Sequence, residues 1–181
     1  MFARTERLLL RPGWTEDAPA LAAAINREEI AHNLAHVPWP YSVDDAEDFL
    51  TRERDSKEAS MLIFERTATE PRLIGGIALS DAKLSDHARQ TILGYWIVPS
   101  CWGKGFATEA GRAVIDMARE TLRIGRLTAQ HFVDNPASGA VLRKLGFHQT
   151  GDRGPLFSVG RQIASPGLSY TLDLKAATLT A

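Results

Sequence analysis

Three apolar, β-branched runs stand together in the middle of the chain: "SMLIFERT" (60–67), "RLIGGIALS" (72–80) and "QTILGYWIV" (90–98). Short polar loops separate them, so they predict consecutive antiparallel strands. An earlier run, "RLLLRP" (7–12), reads as a first strand. Between it and the meander the pattern is helical. "WTEDAPALAAAINREE" places Thr15 as the expected N-cap, with acidic residues in the first turn. "SVDDAEDFLTRERDS" (42–56) is a second helix, Ser42 being followed three residues later by Asp45 in a capping arrangement. The stretch "HNLAHVPWPYS" (32–42) is rich in proline and aromatics and is expected to be irregular. Beyond residue 105, Ala107, Ala110, Val114, Met117 or Ala118, and Leu122 fall on one helical face. "RLTAQHFV" (126–133) returns to a strand pattern. "NPASGAVLRKLGF" (135–147) is a short helix with Asn135 as cap, Pro136 as first residue and Gly146 as left-handed stop, Phe147 packing back. Two last strands are expected near 147–152 and 167–173. Strand, helix, strand across 90–133 makes a parallel βαβ unit joined to an antiparallel meander, so the sheet is expected to be mixed.

Composition narrows the setting without naming a task. The chain has 181 residues, 44% hydrophobic and 24% charged, with no repeat and no linker to divide it. One domain over 1–181 is expected. With 21 basic and 22 acidic residues, the charge balance argues for neither nucleic acid nor membrane as a partner. Cys101 is the single cysteine, which fits a reducing compartment, and arginines and a glutamate interrupt the N-terminal apolar run. A cytoplasmic location is expected.

The glycine turn in "GYWIVPSCWGKGFATEAGRAV" (94–114) carries the first chemical suggestion. A P-loop would need a hydroxyl after Gly103-Lys104, but Gly105 stands there and Val98 occupies the upstream glycine position. A dinucleotide fingerprint would need a third glycine where Thr108 lies, and the turn follows a meander in place of opening a parallel sheet. The third reading is a turn of small residues, Gly103, Gly105 and Ala107, running straight into a helix. Its main-chain N–H groups, over roughly 103 to 108, would converge on a pyrophosphate.

This passage, with "NPAS" and "LRKLGF" thirty residues on, resembles the GNAT superfamily of acetyl-CoA-dependent N-acyltransferases, and most closely its RimJ/RimL-like branch. The opening "TERLLLRP" and the segment "WPYS" are similar to that branch too. The resemblance implies an α/β fold: a mixed, mostly antiparallel sheet flanked by helices, with a splayed pair of parallel strands. It implies an enzyme that transfers an acetyl group directly to a primary amine, either a protein N-terminus or a small molecule, with no metal. In the family a (Q/R)-x-x-G-x-(G/A) backbone binds the CoA pyrophosphate. Gly105 and Ala107 match its last two fixed positions, while Trp102 stands at the first. The resemblance therefore assigns Trp102, Gly103, Lys104, Gly105, Phe106, Ala107 and Thr108 to the cofactor. Ile97 and Val98, on the splayed strand, would pair with the pantetheine arm, and a backbone N–H near Val98 would meet the oxyanion. Asn135 would contact the arm, and Lys144 or Arg143 the 3′-phosphate.

For catalysis the resemblance offers Ser138 as the acid that protonates the departing thiolate. Other branches use a tyrosine seven residues after the asparagine, and here that position is Leu142. A glutamate that relatives carry two residues before the strand glycine is Ile92 here. Asp134, Glu109 and His131 remain open as bases, directly or through water. Trp39 and Tyr41 are candidates for the acceptor pocket, equally able to cap the core. His32 and His36 lack a third ligand and read as ordinary helix-edge histidines, and Cys101 as a small loop residue. Dimers are common in the family, so a homodimer is implied. Two other classes stay open: a catalytically silent CoA-binding regulatory domain, and a module for another nucleotide.

Overall fold

The computed structural model describes residues 1–52, 58–85 and 88–174. Eight strands form one sheet: β1 (Ala3–Arg4), β2 (Leu8–Arg11), β3 (Ala59–Glu65), β4 (Arg72–Ser85), β5 (Ala88–Ile97), β6 (Arg126–Phe132), β7 (His148–Ser158) and β8 (Ile163–Asp173). Their order across the sheet is β1-β2-β3-β4-β5-β6-β8-β7. Five helices cover it: α1 (Ala18–Ile25), α2 (Glu28–Ala31), α3 (Val43–Thr51), α4 (Phe106–Glu120) and α5 (Pro136–Lys144). All strand pairs are antiparallel except β5 with β6, whose parallel ladder consists of Thr91 opposite Leu127 and Ile92 opposite Thr128. Beyond that ladder the two strands part. The mixed sheet with a splayed parallel pair, expected from the sequence, is what the chain forms.

The meander strands are apolar on both sides because both faces of the sheet are covered. Successive side chains alternate between faces. Met61, Ile63, Ile77, Leu79, Leu93 and Ile97 join Val114 and Ala118 of α4 in the larger core. Leu62 and Phe64 turn the other way, to Leu21, Ile25, Ala46 and Leu50 of α1 and α3. Arg11 ties β2 to that second layer. It pairs with Asp17 at 2.7 Å and lies over the rings of Trp14 and Phe64. The Arg11 hydrogen bonds hold the Asp17 carboxyl below the usual carboxylate range.

Local corrections have local causes. The first helical segment is capped at Trp14, not Thr15: Thr15–Asp17 is a 3-10 turn, and the Asp17 carboxylate reaches back to the Trp14 N–H at 2.8 Å. The Ser42 cap forms as expected, its Oγ accepting from the Asp45 N–H at 3.1 Å while Asp45 accepts from the Ser42 N–H. That helix stops at Thr51, because Arg52 is already extended (φ −58°, ψ 129°); residues 53–56 of the expected span lie outside the described residues. Strands β7 and β8 run longer than expected because they pair with each other past Pro155 and Pro166.

Candidate active site

The turn after β5 is built from backbone, not from side chains. Gly103 and Gly105 hold φ of 73° and 82°, the left-handed region that other residues enter at a cost. Gly105 is the N-cap of α4 and supplies no side-chain cap. The first helical hydrogen bond runs from the Glu109 N–H to the Gly105 carbonyl at 3.0 Å. The amides of Phe106, Ala107 and Thr108 therefore have no partner within the helix, and they stand at its positive end. These are the donors that an anion would use.

The chain's N-terminus braces this turn from behind. Glu109 Oε1 accepts from the Thr5 hydroxyl at 2.6 Å and the Arg7 N–H at 2.9 Å, and Oε2 accepts from Arg7 Nε at 2.7 Å. Arg7 also donates to the Lys104 carbonyl at 3.0 Å and lies over the Phe106 ring. Partial burial raises the Glu109 pKa, but the hydrogen bonds from Thr5 and Arg7 outweigh it and leave the carboxyl below its ordinary value. Glu109 is thus an occupied anion and is poorly suited to take a proton. Of the candidate bases, Asp134 is likewise held: Arg161 grips both its oxygens, at 2.7 and 3.0 Å, and those bonds lower its pKa. His131 is buried, Nδ1 donating to the Phe132 carbonyl at 2.7 Å and Nε2 facing the Tyr170 hydroxyl at 3.3 Å. Both of its ring nitrogens therefore have partners.

A cavity of about 860 Å³ runs from the turn across the parted strands to the α1–α2 side. Ile97, Trp102, Gly103, Gly105, Phe106, Ala107, Thr108, Asn135, Ser138, Lys144 and Tyr41 all line it. Val98, Lys104 and Trp39 do not. The Val98 N–H donates to the Ile74 carbonyl at 2.8 Å, so it is consumed by β4 and cannot meet an oxyanion. Because partners alternate along an antiparallel ladder, Tyr95 and Ile97 turn their N–H groups toward the gap instead. Trp102, half exposed, donates its indole N–H to the Ile97 carbonyl at 2.6 Å. Lys104 is exposed and contributes only its carbonyl to Arg7. Trp39 is 42% exposed and meets His32 edge to face, while Tyr41 is buried with its hydroxyl donated to the Asp45 carbonyl at 3.1 Å.

At the head of α5, Asn135 Oδ1 accepts from the Ser138 N–H at 3.3 Å. A Cβ on Gly139 would come within 2.6 Å of His131 Nε2, so the glycine lets α5 settle on β6 and brings Ser138 to the gap. There the Ser138 Oγ lies 2.8 Å from the Tyr95 hydroxyl. Burial pushes the Tyr95 phenol up to about 12. Leu142, at the tyrosine position of other branches, is fully buried.

Toward the other end, Ser60, Ala78 and Gly94 are direct partners across β3, β4 and β5 and form a low floor. Ile92 lies beside them, and Glu29, Asn33 and His36 line the opposite wall. A shallower depression behind the turn brings Arg7, Arg112 and Lys144 around Gly105 and Thr108. Arg143 lines neither. Among the described residues no cluster of three His, Cys, Asp or Glu side chains is placed to hold a metal, and no helix is long and apolar enough to cross a membrane. The sequence reading missed Tyr95, Thr5, Arg7 and Arg112. The strand alternation in "GYW" was a usable signal for Tyr95, since it puts that side chain on the face of Leu93 and Ile97; its meeting with Ser138 depends on the parting of the strands.

The acetyltransferase (GNAT) domain family matches residues 7–148. The uncharacterized N-acetyltransferase YoaA of Bacillus subtilis (strain 168) is 31% identical over 152 residues, covering 81% of this chain and 82% of its own length. Among solved structures, Mycobacterium smegmatis RimJ in complex with CoA-disulfide superposes with a TM-score of 0.75 at 20% identity, over 96% of this chain and 84% of that one. Spermidine N-acetyltransferase from Vibrio cholerae, in complex with CoA and spermine, gives 0.75 at 21% identity, over 94% and 97%. Those two show the shared fold.

Proposed function

Since the chain belongs to the GNAT family and is an N-acetyltransferase that uses acetyl-CoA, we propose that it moves the acetyl group directly to a primary amine, on a peptide N-terminus or a small molecule, within a ternary complex. One observation carries this reading. The unpartnered amides of Phe106, Ala107 and Thr108, behind left-handed Gly103 and Gly105, open onto the same cavity as Ser138. The donor's diphosphate fits that amide cradle, with Lys144 at its edge, and the thioester carbon is what the donor supplies to the reaction.

The chain's own groups divide the remaining work. The free edge of β5 at Ile97 and the Asn135 side chain orient the pantetheine arm along the gap. Ser138, in the first turn of α5, faces developing negative charge on sulfur with the positive end of the helix beneath it. As the C–S bond breaks and the C–N bond forms, the Ser138 hydroxyl gives its proton to the thiolate and is reprotonated by water. The amine loses its proton to water in the cavity, because Glu109, Asp134 and His131 are all engaged. Tyr41 forms part of the acceptor wall. We read the chain further as a cytoplasmic enzyme of one domain that pairs with a second copy, a reading supported by the single cysteine and by the family resemblance.

The test is acetyl-CoA-dependent release of CoA over a panel of amines and N-terminal peptides, repeated with Ser138→Ala. Transfer to at least one amine, with kcat reduced about 100-fold in the variant, is expected. Tight CoA binding with no turnover on any amine would favour a silent CoA-binding domain.

A further inference from the structure

The transfer reading leaves without a task the side chain in direct contact with the Ser138 hydroxyl. Tyr95 leaves β5 on the face of Leu93 and Ile97, most of which packs on α4. Because β5 and β6 are paired only at Thr91–Leu127 and Ile92–Thr128, nothing of β6 blocks the phenol's path, and it reaches the first turn of α5. Its oxygen lies 2.8 Å from the Ser138 Oγ and 3.0 Å from the Ser138 carbonyl. One phenolic proton faces two acceptors. The carbonyl of a residue within a helix already serves the amide four residues on, and the Oγ is the nearer of the two acceptors.

We propose that Tyr95 is a positioning residue for the transfer, its phenol donating to the Ser138 Oγ so that the serine O–H is left to point at the departing sulfur. This rests on the transfer reading above. The reverse arrangement, with the serine proton spent on the phenol oxygen, would aim the acid backward into the protein. Tyr95 keeps its own proton throughout. When the C–S bond breaks, the thiolate takes the proton from the Ser138 Oγ, the phenol's hydrogen bond supports the oxygen left behind, and water reprotonates it. The partly buried phenol, pushed up to about 12, stays protonated across the range in which an amine acceptor titrates, so the donor is present throughout. The arrangement also accounts for Leu142. The hydroxyl that other branches bring from within the helix arrives here from the strand, and position 142 is free to join the core.

The experiment compares Tyr95→Phe, Ser138→Ala and the double variant, measuring kcat and KM for acetyl-CoA at saturating amine, and CoA affinity by calorimetry. Tyr95→Phe is expected to lower kcat about tenfold while leaving acetyl-CoA KM and CoA affinity within about twofold. The double variant is expected to be no slower than Ser138→Ala by more than about twofold, since the phenol acts only through the serine. A full-speed Tyr95→Phe enzyme, or a double variant slowed by the product of the single effects, overturns the proposal. So does a Ser138→Ala enzyme with unchanged kcat. A wild-type protein inactive on every amine fails the transfer reading itself, and this inference with it; an active wild type beside a full-speed Tyr95→Phe fails this inference alone.

Discussion

Replacing Gly105 by alanine isolates the backbone's part in donor binding. A Cβ at this position would meet nothing closer than the Arg7 guanidinium at 3.6 Å, an ordinary contact, so the substitution adds no clash. Its cost lies in φ alone. At 82° an L-residue is disfavoured by about 1–2 kcal/mol relative to glycine. That cost must surface somewhere. If the turn stays left-handed in the free protein, stability falls by about 1–2 kcal/mol and CoA affinity is preserved. If the turn relaxes until ligand arrives, stability is spared and CoA affinity falls about 5- to 30-fold, the same energy expressed as a binding constant. The two losses should therefore sum to the same figure. Urea unfolding measures the first and calorimetry with CoA the second. Pantetheine, which lacks the phosphates, supplies the control and should bind the variant as it binds wild type. A Gly105→Ala protein with wild-type stability and wild-type CoA affinity would refute the backbone argument. Equal losses for CoA and pantetheine would refute the assignment of this turn to the diphosphate.

Two further substitutions probe the brace behind the turn and the far end of the cavity. Glu109→Gln removes the anion that Thr5 and Arg7 hold. A carboxyl with a depressed folded-state pKa stabilises above its unfolded value, near 4.5, and that support is lost as pH falls through the folded value. The stability difference between wild type and Glu109→Gln should thus be full at neutral pH, begin to shrink as pH falls past about 4.5 and be lost as it falls through the lower folded value; a difference that persists unchanged at pH 3 would mean the carboxylate's charge is not what braces the turn. Gly94→Val raises the floor beneath the acceptor, where an added Cβ meets nothing within 4 Å. Acceptor KM should rise about tenfold with CoA affinity unchanged, and a loss of CoA affinity instead would move the acceptor elsewhere.

What was legible in the chain was local. The Ser42 and Asn135 caps, the stop at Gly146 and the three meander strands depend on residues a few positions apart, and each formed where expected. The turn's glycines were legible for the same reason, since a left-handed φ leaves few alternatives. Thr15 is not the cap because the helical turn starts one residue earlier, capped at Trp14, whose N–H the Asp17 carboxylate holds. Val98 departs from the expectation because Ile74, on the neighbouring strand, takes its amide before the gap can use it.

The contacts that decide the chemistry are of another kind. Arg7 meets Glu109 across 102 positions, Tyr95 meets Ser138 across 43, and Arg161 meets Asp134 across 27. Each pair exists only because the sheet order puts β2 beside the meander, parts β5 from β6 and returns β8 between β6 and β7. Two of these pairs remove a candidate base and one orders a candidate acid, so the sheet's topology sorts the titratable groups into engaged and available. Glu109 and Asp134 are held by Arg7 and Arg161, which keeps their charge out of the gap that must accept a diphosphate and a thiolate, while Glu29 stands on the far wall of the cavity. An active site organised in that way relies on donors: helix-end amides, a serine and a phenol.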